Sequence, residues 1–396
     1  MATAVIVDAV RTPGGKRFGK LSGWHPADLA AEVLMALAER NHLDPAQVED
    51  VIMGCVMQVG NQSVNIGRSA VLAAGWPESV PATTIDRQCG SSQQSAAFAA
   101  QGVMAGAYDI VIAAGVEVMS TTPMGASVTP GSFPMGPRVM ERYAPRGGLV
   151  MQGTSAEIIA DKWDLSREDL DAFGARSQQL AEQATQEGRF ENEIIPVKAK
   201  VFDRESGNVV ESDDMVRTDE GIRPGTTVET LAKLKPAFKE DGKVTAGNSS
   251  QITDGASAAL IMSEERANQL GLTAKARFHS FGLSGVDPIE MLTGPIPATK
   301  QVLERGGLTI DDMDLIEINE AFASVVLAWE KEHHPDMAKV NVNGGAIALG
   351  HPLGCSGTKL LATLVHELER TGGRWGLQTM CEGAGMANAT IIERLG

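Results

Sequence analysis

The chain carries the same run of elements twice. In the first half, the sequence predicts a β-branched strand over 83–86, a polar turn at Cys89, a helix over 90–105 opened by small residues, and a continuous apolar strand over 109–115. In the second half, it predicts a strand over 339–342, a glycine-rich elbow over 343–354, a helix over 356–370 and a strand over 376–380. An unbroken apolar run such as Asp-Ile-Val-Ile-Ala-Ala-Gly is the pattern of a strand buried on both faces. Strands alternating with helices imply an α/β fold built in layers. Two similar halves facing each other would bring their elbows to one cleft, where ligands of open α/β sheets bind.

The same rhythm extends through the remaining regular segments. A helix is expected over 26–40, with proline at its start, where a missing N–H costs little. Strands are expected over 50–56, 256–263, 276–283, 314–318 and 389–393. Further helices are expected over 66–74, 298–305 and 320–332. After Gly115 the rhythm breaks. Residues 116–148 are rich in Met, Pro, Gly, Ser and Thr, and residues 202–242 are charged and turn-rich. Between them lie helices expected at 155–163 and 166–187, the second opened by Ser166-Arg167-Glu168-Asp169, a capping box with Asp in place of Glu. The organisation expected is an N-terminal half over 1–115 and 244–270, an inserted loop domain over 116–243 and a C-terminal half over 271–396. Long irregular insertions usually serve recognition, and oligomerisation is the alternative.

With 34 basic and 50 acidic residues the formal charge is −16. An acidic surface argues against nucleic acid or an anionic membrane as partner, but not against an anionic small ligand in a local basic pocket. Four cysteines without regular spacing make neither a disulfide framework nor a zinc site, so no metal is expected. Residues 1–8 read as a strand, without the basic and apolar regions of a signal peptide. No run of 18 apolar residues occurs. The expected location is the cytoplasm.

Cys89 stands where unpaired N–H groups of a helix start favour a thiolate. It is a candidate nucleophile, and a small buried core thiol is the other reading. His351 lies in Gly350-His351-Pro352-Leu353-Gly354, where glycines allow close backbone approach. Cys381 follows the last-but-one strand in Met380-Cys381-Glu382-Gly383. Asn319 closes the strand at 314–318, ahead of Glu320-Ala321-Phe322. Taken singly, none of these four is specific. Together they place two thiols, an imidazole and an amide at four strand ends. Gly350 to Lys359 lacks the Gly-Lys-Ser/Thr order of a phosphate-binding loop, and no Gly-x-Gly-x-x-Gly follows the first strand. A papain-like Cys–His–Asn hydrolase would leave Cys381 idle.

The set resembles the thiolases, acetyl-CoA C-acyltransferases, along essentially the whole chain. The resemblance rests on the Cys89-Gly90-Ser91 elbow, Val244 to Ser250, Gly294 to Ala298, Asn319-Glu320-Ala321-Phe322, Asn343-Gly344-Gly345-Ala346 through Gly350-His351-Pro352, and Cys381-x-Gly383. Residues 86–94 and 377–383 are most similar to bacterial degradative thiolases, including those of sterol catabolism. The resemblance implies a five-layered αβαβα core of two halves plus the loop domain. It also implies coenzyme A as co-substrate, no permanently bound cofactor, and a homodimer or homotetramer.

It further implies that Cys89 attacks the 3-keto carbon of a 3-oxoacyl-CoA, that His351 takes its proton, and that Cys381 handles the proton at C2. One oxyanion hole would be His351 with a water held by Asn319. The other would be the backbone N–H groups of Cys89 and Gly383. Glu320 would orient the elbow, or serve only as a carboxylate near a helix start. Arg223 would meet the adenosine phosphates, Ser250 the pantetheine, and Phe238 and Phe322 would be apolar walls.

Two positions depart from the family pattern. Met151-Gln152-Gly153 stands where biosynthetic acetoacetyl-CoA thiolases have His-Met-Gly, which implies a different or wider acyl pocket. Ala384 stands where glycine is usual. Cys55 and Cys355 are expected in the core. The alternatives are a biosynthetic acetoacetyl-CoA thiolase and a non-catalytic acyl-CoA or lipid binder of the same fold. A β-ketoacyl synthase would carry a second histidine in place of Cys381.

Overall fold

The computed structural model describes residues 2–396. Nine strands make one mixed sheet in the order Ala82–Ile85, Asp50–Gly54, Ile110–Val118, Thr253–Ser263, Ala4–Arg11, Ala276–Gly285, Met386–Arg394, Trp375–Glu382, Leu315–Ile318, with the short Gly15–Lys16 pairing on Thr253–Ser263. The order is mirrored about its centre. In the first half two outer strands, and in the second half one, run parallel to the strand that follows the elbow, and the next two strands of each half are antiparallel. The two half-sheets pair with each other at Val5–Arg277 and Ile6–Ala276.

Alternation along the strands builds five layers. In Ala4–Arg11, Val5, Val7 and Val10 face the helix Pro26–Arg40 through Leu29, Leu34 and Leu37. Ala4, Ile6 and Ala9 face inward, toward Ala96, Ala99 and Val103 of Ser91–Met104 and Leu361, Leu364 and Leu368 of Ser356–Thr371. Beyond the second half-sheet, Leu377, Ala389 and Ile391 pack on Val302, Val326 and Trp329. Each fully buried leucine of the central layer contributes about 1.5–3 kcal/mol by leaving water.

Glycines let the two central helices meet at their N-termini. A Cβ on Gly357 would overlap the backbone N of Gln93, and one on Gly115 would overlap the carbonyl of Gly354. The backbone N–H of Thr358 donates to Ser92 Oγ at 3.0 Å. The duplication read from the sequence therefore does place its two elbows together.

Several boundaries move. The strand expected over 339–342 is only a bridge between Ile316 and Val340. Asn341 ends it with φ +46°, and its amide takes over the pairing by accepting from Ile318 N–H (2.9 Å) and donating to Ile318 carbonyl (2.8 Å). The strand expected to end at Gly115 runs to Val118, and the one expected to end at Met380 runs to Glu382, so Cys381 lies within it. The segment read as turn-rich contains a strand, Val209–Val216, which forms a hairpin with Val197–Phe202. Residues 116–148 include a helix over Gly136–Tyr143 that the composition concealed. The capping box of Arg167–Gln186 is present. Among the described residues no helix is long and apolar enough to cross a membrane.

Candidate active site

Cys89 sits on a strained turn. Gln88 before it adopts φ +49°, a left-handed conformation unusual outside glycine. Ser91 holds the turn, since its Oγ accepts from Arg87 N–H at 2.9 Å and donates to the Gln88 carbonyl at 2.6 Å. The thiol is buried in a small apolar cluster with Val56, Met119, Leu353 of the second elbow and Met380 of the adjoining strand. The helix start was expected to favour a thiolate. Instead burial, followed by the charge of Glu382, pushes the Cys89 thiol up to about 12. The backbone N–H groups of Cys89 and Gly383 and the side chain of Gln152 act the other way, as donors toward the sulfur.

His351 is buried and oriented. Its Nδ1 lies 2.5 Å from Ser356 Oγ, which donates to the Pro352 carbonyl at 2.8 Å. That network assigns the proton to Nδ1 and leaves Nε2 as a base. Asn319 faces Nε2 with its Nδ2 at 3.4 Å, while its Oδ1 is buried without a partner among the described residues. Burial, assisted by the positive charge of Lys359, lowers His351 to about 3, so the imidazole is neutral at rest. Lys359 escaped the sequence reading. It lies one turn into the helix after the elbow, buried, and its Nζ donates to the Leu349 and Gly350 carbonyls at 2.8 and 2.9 Å.

Cys381 is fully buried opposite Ala387. Burial, then the neighbouring Cys89 and Glu382, raise its pKa well above the ordinary thiol value, so the two thiols lie within each other's field. Gly383 follows, and a Cβ there would lie 3.0 Å from Gln88 Oε1 and 3.2 Å from Gln152 Nε2.

Buried carboxylates fix the loops. Glu320 accepts from Ser177 Oγ (2.6 Å), Asn341 Nδ2 (2.9 Å) and Ile347 N–H (3.1 Å), pinning the start of the His351 elbow. Glu117 accepts from Val56, Met57 and Gly354 N–H, tying the Cys55 loop to that elbow. Cys355 rests 3.2 Å from Ser257 Oγ, and Cys55 lies beside Glu117, both buried.

Of the residues expected at coenzyme A, three gather. Phe238 and Phe322 meet edge to face with centroids 5.9 Å apart. A Cβ on Gly153 would overlap the Phe238 ring. Ser250 N–H donates to the Ala321 carbonyl at 2.9 Å, beside Phe322. Arg223 is exposed, its backbone N–H donating to Gln178 Oε1 at 2.8 Å.

The family models for the thiolase N-terminal and C-terminal domains match residues 4–265 and 272–394. The chain belongs to the thiolase family. Thiolases are acyltransferases. The chain is 50% identical over 400 aligned positions, all of this chain and 95% of the other, to a protein of Mycobacterium tuberculosis named steroid 3-ketoacyl-CoA thiolase FadA6. It is 44% identical to a 3-ketoacyl-CoA thiolase of Bacillus subtilis, over 99% of this chain and 100% of that one. Among solved structures it is similar to the Bacillus anthracis acetyl-CoA acetyltransferase, with a TM-score of 0.88, 39% identity, and coverage of 100% of this thiolase and 99% of that chain.

Proposed function

We propose that this thiolase cleaves 3-oxoacyl-CoA with coenzyme A, giving acetyl-CoA or propionyl-CoA and a shortened acyl-CoA, in the degradation of fatty acids or sterols. The reading is supported most by one arrangement: two thiols in each other's field, with a neutral base-form imidazole on the elbow that packs against the first.

In this account His351 Nε2 takes the Cys89 proton as the sulfur attacks the 3-keto carbon. Neither partner is charged beforehand, so charge develops only as the bond forms. The alkoxide collapses, the C2–C3 bond breaks, and Cys381 gives its proton to C2 of the departing acetyl-CoA enolate. The enolate oxygen is received by His351, now protonated, and a water held by Asn319. The N–H groups of Cys89 and Gly383 receive the oxyanion at the acyl carbon. Each such donor is typically worth about 100- to 1,000-fold in rate. Coenzyme A then gives its thiol proton to the Cys381 thiolate and takes the acyl group. Cys89 leaves as thiolate and recovers its proton from His351, which closes a ping-pong cycle.

Phe238 and Phe322 would flank the pantetheine, Ser250 would bond to it, and Arg223 would reach the phosphates. The domain reading is supported by the register Ile110–Met262 to Val118–Asp254, in which adjacent antiparallel strands bracket the inserted segment. A cytoplasmic homodimer or homotetramer, without nucleic acid or membrane partners, completes the proposal. The relatives' names favour degradation over acetoacetyl-CoA synthesis, as does Gln152 at the nucleophile. Rates in both directions with acetoacetyl-CoA and with longer or cyclic 3-oxoacyl-CoAs test it. Fast acetoacetyl-CoA synthesis with no cleavage of larger substrates would overturn it.

A further inference from the structure

The carboxyl of Glu382 is unexplained by that cycle. It lies between Cys381 and Gly383 in sequence, yet points to the other face of the strand, against the Cys89 elbow. A Cβ on Gly90 would overlap Glu382 Oε1 and lie 2.9 Å from Asn388 Nδ2. Both Glu382 oxygens are buried with no partner among the described residues, and so is Asn388 Oδ1. A buried carboxylate without donors is costly, whereas the acid form is tolerated.

We propose that Glu382 is a positioning residue of the thiolase reaction, held as the neutral acid beneath the Cys89–Gly90 elbow, whose charge state sets the proton affinity of both reacting thiols. Each thiol must carry negative charge at some step, and a carboxylate beside them opposes it. As an acid, Glu382 leaves the cleft free of negative charge until chemistry creates it. The groups facing it are few. Asp86 and Arg87 bear on it with opposite signs from the elbow, Cys89 and Cys381 feel its charge, and Asn388 is neutral. Burial raises its ionisation to about 8, so the device acts close to neutral pH.

The inference rests on Cys89 and Cys381 being the reacting thiols, but its test does not use turnover. Alkylation of Cys89 by iodoacetamide, located by peptide mass, is followed from pH 6 to 10 in the free enzyme. In wild type, the logarithm of the rate should break near pH 8 and rise less steeply above it. Glu382→Gln keeps the shape and cannot ionise. Its rate relative to wild type should be level below pH 7 and climb about tenfold by pH 9.5, the effect of one pKa unit. A purely structural Glu382 would alter stability and leave that ratio flat. An unbroken wild-type profile overturns the proposal even if Glu382→Gln does not fold, and so does a flat ratio if it folds. Either failure leaves Cys89 as acyl carrier untouched, because that role is read by acylation.

Discussion

The Nδ1 of His351 lies 2.5 Å from Ser356 Oγ, and the serine's own proton goes to the Pro352 carbonyl. The chain that turns the elbow therefore also chooses the tautomer. Ser356→Ala removes the acceptor for Nδ1–H while leaving the backbone intact. Acylation by 3-oxoacyl-CoA should slow about tenfold, since one buried hydrogen bond of roughly 1.4 kcal/mol is lost from the base. Single-turnover rates measure this, with KM expected to change less than kcat. An unchanged kcat would remove Ser356 from the account.

Cys381→Ala should still accept an acyl group slowly from acetyl-CoA, because Cys89 and His351 remain. Condensation should fall about 100- to 10,000-fold, the usual worth of a positioned acid–base group. Intact mass reads the first outcome and acetoacetyl-CoA formation the second. Normal condensation would refute the two-thiol scheme.

Gln152 places a donor toward the Cys89 sulfur, where its Nε2 also neighbours Gly383. Gln152→Met withdraws it. Acylation is expected to slow about tenfold, the value of one hydrogen bond to a developing anion. An acylation rate within a factor of two of wild type would contradict this contact.

His351 titrates near 6.5 in the unfolded chain and about 3 in the folded one. Between those values the unfolded state binds the extra proton, so stability rises with pH and is lost as pH falls from 6.5 toward 3. The stability of wild type relative to His351→Asn should fall by roughly 1 kcal/mol per pH unit once below 6.5. Denaturant titrations at pH 7, 6 and 5 check it, and a constant difference would refute it.

Ala384 occupies φ +66° in the turn between two strands. Its Cβ costs about 1 kcal/mol there. Ala384→Gly should raise the midpoint of thermal unfolding by about one degree, offset in part by the freer unfolded chain. A lowered midpoint would mean that the methyl packs usefully.

The places of the candidate groups were legible because they sit at element ends. Cys89, Asn319, His351 and Cys381 could each be placed at a strand-to-helix turn or a strand end from local pattern, and the doubled unit brought the elbows together. Residues 339–342 misled because Val340 and Val342 look like strand residues, whereas the Asn341 side chain replaces the ladder. The hairpin strand Val209–Val216 was hidden by exposed acidic residues with no buried face to mark a period. Glu382 and Lys359 were missed because burial against a distant segment leaves no local signal, and a charge read singly suggests the surface. The resting state of Cys89 was misjudged for the same reason, since its burial outweighs its helix start.

Cys89 is expected to carry the acyl group. Mixing wild type with a 3-oxoacyl-CoA in the absence of free coenzyme A, quenching within one turnover and mapping the added mass by peptide decides it. One acyl group, without the acetyl unit, is expected on the peptide that contains Cys89, discharged by added coenzyme A. An acyl group on Cys381 or elsewhere, or release of acetyl-CoA with no adduct on Cys89, would contradict it.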